Sequence, residues 1–355
     1  MNVLFLTSNQ KPKDGWSVVG FNLVQHLKKH CHVQIFSSEK KYAFFFGEKN
    51  LKSQRFNRIG FFAVFFDVLN ILFCLKKIPN IIHCNVEHYA VAAMVIAKIL
   101  RIPYTVTCHG TYGVLLPLQS KLFKKAYEKS NVIIAGSEYT KERMKQEGIN
   151  ARYTIIGYGV DKKTFKPKAN YQKRDSTITF VGNLKERKGI QFLLETMAIV
   201  NKFRPDIKTL ILGSLDKRSE EFNSKIKFIK EKLLNVDFVG NVSQKSLIRY
   251  YQNAKLNILP SKSLKFHFEG FGLIHLEANA CGTLTIGCTK SGNEDAINLE
   301  YGFLVNYGDT KRLAEIILSV FSKKDYPKIN RNNISDWFDV SKEYEYLWES
   351  LILNA

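Results

Sequence analysis

Two glutamates, Glu269 and Glu277, bracket the segment EGFGLIHLE and raise a question of chemistry before one of fold. If a helix begins near Phe271, its apolar stripe runs Leu273, Leu276 and Ala280, and Glu277, four residues past Leu273, falls on that stripe. An ionised carboxylate is seldom buried without a partner, because desolvation either destabilises the fold or moves the pKa until the group is neutral. Either the helix is wide enough to leave Glu277 at a wet edge, or the carboxylate accepts hydrogen bonds from a ligand with vicinal hydroxyls, such as a ribose. Gly270 and Gly272 let the backbone approach a ligand closely, and free N–H groups around Gly272, Leu273 and Ile274 suit phosphate oxygens. Glu269, in the loop before the helix, would then sit beside whatever the phosphates carry.

A second cluster is cationic. VGNLKERKGIQFLLE places Arg187 and Lys188 in a loop before a helix expected from about Gly189. Cations at the positive end of a helix are poorly placed unless an anion lies between them. Lys188 fits a point charge on a diphosphate and Arg187 a forked contact. No G-K-[S/T] follows, so this is not a P-loop. His109, in TVTCHGTYG, ends a strand-like run and precedes Gly110; it is either a structural histidine or a third member of the site. A sugar nucleotide unites the anion, the diol and the sugar these residues would bind.

Such residues must be held by rigid elements. Short β-branched runs, each followed by a helix-like segment, recur as NVLFLT, HVQIFS, IIHCN, YTVTC, VIIAG and YTIIG, then STITFVG, KTLILG, VDFVG, LNILP, LTIGC and YGFLV. Alternation of this kind predicts βα units and parallel sheets covered on both faces. The polar, basic, turn-rich GYGVDKKTFKPKANYQKRDS reads as a linker. The expectation is an α/β protein of two doubly wound domains facing each other across a cleft, in agreement with the 355-residue length. In open sheets of this type ligands lie outside the carboxyl ends of the strands. Gly15, His109, the stretch from Gly182 to Gly189, and Glu269 all fall at such ends.

The net charge of +21 is uneven, +14 over residues 1–165 and +7 over residues 166–355. The basic first half suggests an anionic partner, nucleic acid or the cytoplasmic leaflet of a membrane. No nucleic-acid motif is present. The runs EKKYAFFFGEK and KLFKKAYEK interleave lysines with aromatics, which suits a lipid interface, whereas KKH is simply basic; each run taken singly reads more readily as a solvated face of a lysine-rich protein. IGFFAVFFDVLNILFCLKK is the most apolar segment; it is shorter than a spanning helix, Asp67 and Asn70 interrupt it, and a buried amphipathic helix is expected. Six cysteines without C-x-x-C spacing predict reduced thiols and no zinc site, and the N-terminus enters a strand without a basic leader, so a cytoplasmic chain is expected.

The segments D-G-W-S-V-V at 14–19, T-C-H-G-T at 107–111, A-G-S-E-Y-T at 135–140, G-Y-G-V-D-K-K-T-F at 157–165, V-G-N-L-K-E-R-K-G at 181–189, E-G-F-G-L-I-H-L-E at 269–277 and S-G-N-E-D at 291–295 resemble, in order and spacing, retaining glycosyltransferases of family four. The resemblance implies the GT-B fold: a Rossmann-like acceptor-binding domain over residues 1–165, a Rossmann-like nucleotide-sugar domain over 166–330, and C-terminal helices over 331–355, the last crossing back to the first domain. It implies a metal-independent, retaining hexosyltransferase that needs no cofactor besides its nucleoside-diphosphate sugar donor, acting on a glycan or lipid-linked acceptor at the membrane face. Residue by residue, Glu277 resembles the ribose-binding carboxylate, Glu269 the carboxylate on the donor sugar, Lys188 the lysine on the diphosphate, His109 the histidine near the reacting centre, and Gly15 the flexible glycine loop. Gly270, Phe271, Gly272 and Leu273 complete the donor contacts. Asn183 stands where the family usually has arginine, so one cation on the diphosphate is missing unless Arg187 replaces it. The first glycine loop matches only as Asp14-Gly15. Acceptor specificity is expected around residues 40–60 and 110–122. Another GT-B enzyme, such as a sugar-nucleotide epimerase or a phosphorylase, and a nucleic-acid-binding protein are the competing readings.

Overall fold

The computed structural model describes residues 1–8, 11, 15–37, 58–168, 174–214, 220–231, 235–323 and 326–354. Asp14, the run EKKYAFFFGEK and most of the 40–60 stretch lie outside the described residues. The chain divides into two compact units, Met1–Tyr158 with Trp337–Ala355, and Gly159–Asp336.

The first unit is built on β1 (Asn2–Thr7), β2 (His32–Ser37), β3 (Ile81–Cys84), β4 (Tyr104–Cys108), β5 (Val132–Ala135) and β6 (Tyr153–Ile155). The second is built on β7 (Asp175–Val181), β8 (Lys208–Leu212), β9 (Val236–Gly240), β10 (Ala254–Leu259), β11 (Leu284–Cys288) and β12 (Gly302–Val305). Among the described residues every pairing within these sheets is parallel, in the orders β2-β1-β3-β4-β5-β6 and β12-β11-β10-β7-β8-β9. Parallel strands covered on both faces have no wet side, so they read as unbroken apolar runs. IIHC, YTVTC, VIIA and LTIGC are accordingly buried at every position. Each sheet reverses its strand order once, at β1/β3 in the first and at β7/β10 in the second.

The last helix, Trp337–Leu353, belongs to the first unit, where it packs on the helix Gly15–Leu27. Tyr344 and Trp348 are fully buried. The Tyr344 hydroxyl pairs with Thr107 Oγ1 at 3.0 Å, and the Trp348 indole donates to Thr105 Oγ1 at 3.2 Å. Both threonines lie on β4, so a segment more than two hundred residues distant in sequence is locked to the centre of the first sheet by aromatic burial with satisfied polar tips.

The structure sharpens two expectations. In KLFKKAYEK, which forms the helix Lys121–Glu128, Phe123 and Tyr127 are buried while Lys121 and Lys125 face solvent. Lysine and aromatic residues are there divided between water and core, not gathered at an interface. The apolar segment forms the helix Arg58–Cys74, yet only one side of it is buried: Phe65, Phe66 and Phe73 are exposed. Asp67, which in the sequence argued against a lipid environment, lies on the protein-facing side. All six cysteines are free.

Candidate active site

In the second unit the loops after β7 and β10 leave the sheet at its switch point, where a crevice outside the strand ends is expected. They are drawn together by a glycine that no other residue could replace. Gly189, at φ 72°, follows the single 3-10 turn Glu186–Lys188 and caps the helix Ile190–Phe203; a Cβ there would sit 1.8 Å from the Pro260 carbonyl oxygen. The Lys262 amide donates to the Arg187 carbonyl at 2.7 Å, and the Lys262 ammonium meets Glu186 at 2.9 Å. The cationic turn is thereby held against the chain that carries Glu269.

The anion expected between the two cations is Glu269 itself. Its Oε2 accepts from Lys188 Nζ at 2.5 Å, from Arg187 Nη1 at 2.8 Å and from Ser261 Oγ at 3.5 Å. The Glu269 side chain keeps only 12% of its exposure. Burial pushes its carboxyl upward, but Lys188 and Arg187 together outweigh burial and hold it at about 2. Burial lowers the Lys188 ammonium despite its partner. Glu269 is therefore an anion throughout the physiological range, a weak proton acceptor, and the fixed counter-charge of two cations. Its backbone is held as well. Gly292 N–H donates to the Glu269 carbonyl at 2.9 Å, and a Cβ on Gly292 would lie 2.3 Å from the Gly270 carbonyl carbon and oxygen.

The following helix spans Leu273–Ala280, two residues later than expected. Gly272 is its N-cap and no side chain caps it, so its first amides have no side-chain acceptor. Leu276 and Ala280 are buried as the stripe requires, but Leu273 is only half-buried, and the fully buried His275 takes part of its place. Glu277 is half-buried, its Oε2 accepting from the Tyr251 hydroxyl at 3.3 Å. Burial lifts its carboxyl to about 7, against the pull of Tyr251. Phe271 is buried beneath this turn. Asn183 is exposed, and its side chain does not join the Glu269 cluster.

In the first unit, His109 follows β4. Its Nε2 faces the Asn85 carbonyl at 2.6 Å, so that nitrogen carries the proton and donates; its Nδ1 accepts from the Tyr158 hydroxyl at 2.5 Å. Its backbone N–H donates to Oε1 of the fully buried Glu87 at 2.8 Å. Burial pushes the Glu87 carboxyl up to about 7. Gly15 opens the helix Gly15–Leu27 and is exposed; a Cβ on it would meet nothing within 4 Å. In the 110–122 stretch, the helix Thr111–Gln119 sets the Tyr112 ring edge-on to Trp16 at 4.9 Å.

The structure thus gathers Lys188, Arg187, Glu269, Gly270, Phe271, Gly272, Leu273 and Glu277 at one strand edge of the second unit and places His109 and Gly15 at the edge of the first. Sequence reasoning missed three residues: Glu87, which anchors the His109 backbone; His275; and Gly292, which seats Glu269. Gly292 and His275 lay inside the quoted segments S-G-N-E-D and E-G-F-G-L-I-H-L-E without being given a role, and Glu87 carried a signal of its own, an acid just past a strand that proves to flank the switch point. Among the described residues, no group of three or more His, Cys, Asp or Glu side chains is placed to hold a metal ion, and no helix is long and apolar enough to cross a membrane.

Two doubly wound parallel sheets of six strands each make this an α/β protein of the two-domain GT-B fold. Solved structures carry the same fold. The sucrose-phosphate synthase of Thermosynechococcus elongatus matches over 100% of both chains at a TM-score of 0.78 and 19% identity. The HepE protein of Anabaena, in complex with UDP and glucose, matches over 98% of this chain and 99% of its own at a TM-score of 0.73 and 17% identity. The family model for glycosyl transferases group 1 matches residues 161–337, and that for Glycosyltransferase Family 4 matches residues 14–164. The chain belongs to the family-four glycosyltransferases.

Among curated relatives, the chain is 26% identical over 250 residues to the GDP-mannose-dependent monoacylated alpha-(1-6)-phosphatidylinositol monomannoside mannosyltransferase of Corynebacterium glutamicum, a match over 66% of this chain and 63% of that protein. It is 26% identical over 234 residues to the capsular polysaccharide biosynthesis glycosyltransferase CapM of Staphylococcus aureus, over 62% of this chain and 60% of that protein. The match therefore spans about three fifths of the length of these relatives.

Proposed function

We propose that the chain moves a sugar from a nucleoside-diphosphate sugar to a glycan or lipid-linked acceptor at the cytoplasmic membrane face, with retention at the anomeric carbon. The observation that carries this reading is the cluster of Lys188 and Arg187 on Glu269 beside the uncapped helix Leu273–Ala280. A diphosphate entering beside the turn Glu186–Lys188 shares the two cations with Glu269 and takes the first helix amides as donors. Charge building on the leaving phosphate in the transition state is then met by groups already in position, without a metal ion. Glu277, with Tyr251 on one oxygen, accepts the ribose hydroxyls. Glu269 orients the donor sugar. Held at about 2, it is too weak a base to deprotonate the acceptor, and its Oε2 is already occupied by two cations. The acceptor proton goes to the departing phosphate. On this reading His109, whose Nε2–H is committed to a backbone carbonyl, lends shape and polarity near the reacting centre and does not serve as a free base.

The names of the relatives bear on donor and acceptor. One is GDP-mannose-dependent and acts on a phosphatidylinositol mannoside, another serves capsular polysaccharide synthesis, and a structural neighbour was solved with UDP and glucose. GDP- and UDP-sugars are thus the first donors to try. The test is a panel of UDP-, GDP- and ADP-sugars scored by thermal stabilisation and slow hydrolysis, with the released sugar's anomeric configuration followed by NMR. Stabilisation by one nucleotide and an unchanged anomer are expected. Absence of binding across the panel, or an inverted anomer, overturns the proposal.

A further inference from the structure

The helix Arg58–Cys74 is divided into two apolar sides. Val64, Asp67, Val68 and Ile71 are buried on the side that faces the protein, where the helix meets its neighbour Ala90–Leu100. At about 100° per residue, Leu72, Phe65, Leu69, Phe73 and Phe66 fall on one opposite arc about 120° wide. Phe65 is 49% exposed, Phe66 56% and Phe73 85%, with Leu69 and Leu72 half-buried between them. Exposed apolar side chains scattered singly are ordinary; three exposed phenylalanines with two half-buried leucines on one helix face form a contiguous apolar surface.

The turn after the helix indicates where that surface goes. Lys76 and Lys77 are exposed, and Ile78 beside them is 71% exposed. Gln34, on β2, fixes this turn: its amide nitrogen donates to the Lys77 carbonyl at 2.7 Å, and its oxygen accepts from the amides of Lys76 and Lys77 at 3.0 and 3.3 Å. The turn that carries the two exposed lysines is thereby fixed directly after the helix that carries the aromatic face. Among the described residues of the helix, no acidic side chain lies on the exposed arc; its polar edges are Asn70 and Cys74, paired with each other at 3.4 Å. The surface is a convex helix flank with cations at one end, on a chain of net charge +21.

We infer that this flank docks on an anionic lipid bilayer, with the helix lying in the interface plane, its aromatic side chains among the acyl chains and Lys76 and Lys77 at the headgroups. An interfacial helix ordinarily keeps a polar face toward water. Here that face is replaced by packing on the protein, so the helix has two distinct sides although both carry apolar residues. The inference rests on the proposed function only for its purpose, delivery of the enzyme to a lipid-linked acceptor; binding itself requires no acceptor.

The experiment is co-sedimentation of the full chain with vesicles of phosphatidylcholine alone or with about a third phosphatidylglycerol, at low and high salt. Wild-type protein should pellet with the anionic vesicles and be released in part by salt, since the lysine contribution is screened. Phe66→Ser with Phe73→Ser should lower partitioning at least tenfold, and Lys76→Gln with Lys77→Gln should lower it severalfold and remove the salt dependence. Phe73→Ser alone, at a side chain packed on little, keeps the test valid if the double variant unfolds. Donor hydrolysis without vesicles should be the same in wild-type and variants, which separates failure here from failure of the donor site. Equal pelleting of wild-type and aromatic variants, equal binding to neutral and anionic vesicles, or a wild-type dimer that the aromatic substitutions dissociate would overturn the inference, the last by assigning the face to a second copy.

Discussion

Glu277→Gln should make the ligand-free protein more stable above neutral pH and at the same time loosen its hold on a nucleotide. Burial raises the Glu277 carboxyl from the ordinary 4.5 to about 7, so the folded state binds this proton more tightly than the unfolded chain. A raised acid penalises the fold once it ionises: the stabilising protonated form is complete below about 4.5 and is lost as pH rises through about 7. Linkage sets the penalty at about 1 kcal/mol near pH 5 and about 3 kcal/mol near pH 8. Because Glu277 keeps some contact with water, a difference of about 1–2 kcal/mol over that range is the working figure. Glutamine is nearly isosteric and its carbonyl can still accept from Tyr251, so the substitution removes the charge and little else.

Urea unfolding of both proteins at several pH values between about 5 and 8 reads this directly. The variant should exceed the wild type slightly near pH 5 and by a growing margin toward pH 8. For the ligand, the sign reverses. Hydroxyl hydrogens donate to an ionised carboxylate, so wild-type affinity for the nucleotide should rise through neutral pH, with proton release visible by calorimetry in two buffers. Hydrogen bonds to a charged group are worth about 1.5–3 kcal/mol, so the variant should bind the nucleotide about tenfold to a hundredfold more weakly. Parallel pH–stability curves for the two proteins would refute the burial argument. Unchanged nucleotide affinity alongside the expected stability gain would refute the diol assignment while leaving the electrostatics intact.

Two further outcomes concern the same cluster. Glu269→Gln leaves Lys188 and Arg187 facing each other without a counter-charge; because all three side chains keep some exposure, the loss should be about 2–3 kcal/mol at neutral pH. A depressed acid contributes its stability above the ordinary 4.5 and loses it as pH falls through about 2, so the gap between the two proteins in chemical denaturation should narrow with acid; equal stability at neutral pH would contradict it. Gly292→Ala forces a methyl to within 2.3 Å of the Gly270 peptide and should displace Glu269, lowering turnover more than nucleotide affinity, whereas an unaltered rate would show that the loop can yield.

The strands were legible because a parallel sheet covered on both faces leaves a continuous apolar trace. IIHCN, YTVTC and LTIGC could be read directly, since every side chain in their strands is buried on one face or the other. The helix Arg58–Cys74 was legible as a helix but not in its orientation: with apolar residues on both sides, its periodicity could not say which side meets protein, and Asp67, read as an interruption of the apolar run, lies on the buried side. KLFKKAYEK left two readings open, a lipid interface and a solvated lysine-rich face, and the structure shows the second. Its lysines and aromatics alternate along the chain, but a helix sorts them onto separate faces, and Phe123 and Tyr127 go to the core.

The site was legible in its charges and not in its supports. Residue type and position told that Lys188, Arg187, Glu269 and Glu277 needed partners, because charges near helix ends and on apolar stripes are conspicuous in any sequence. That Glu269 is itself the anion between the two cations could not be read, since it depends on β7 and β10 being neighbours, and strands about eighty residues apart become neighbours only through the order of the sheet. The glycines that make the meeting possible are silent for the same reason. Gly189 matters because Pro260 lies against it, and Gly292 because the Gly270 peptide does. Both contacts join the loop after one strand to the loop after another, so topology, not local pattern, brings scattered charges into one cluster. The same logic explains why the cluster sits where it does: β7 and β10 are neighbours at the switch point, so the loop that follows one brings the cations and the loop that follows the other brings the carboxylate and the helix amides.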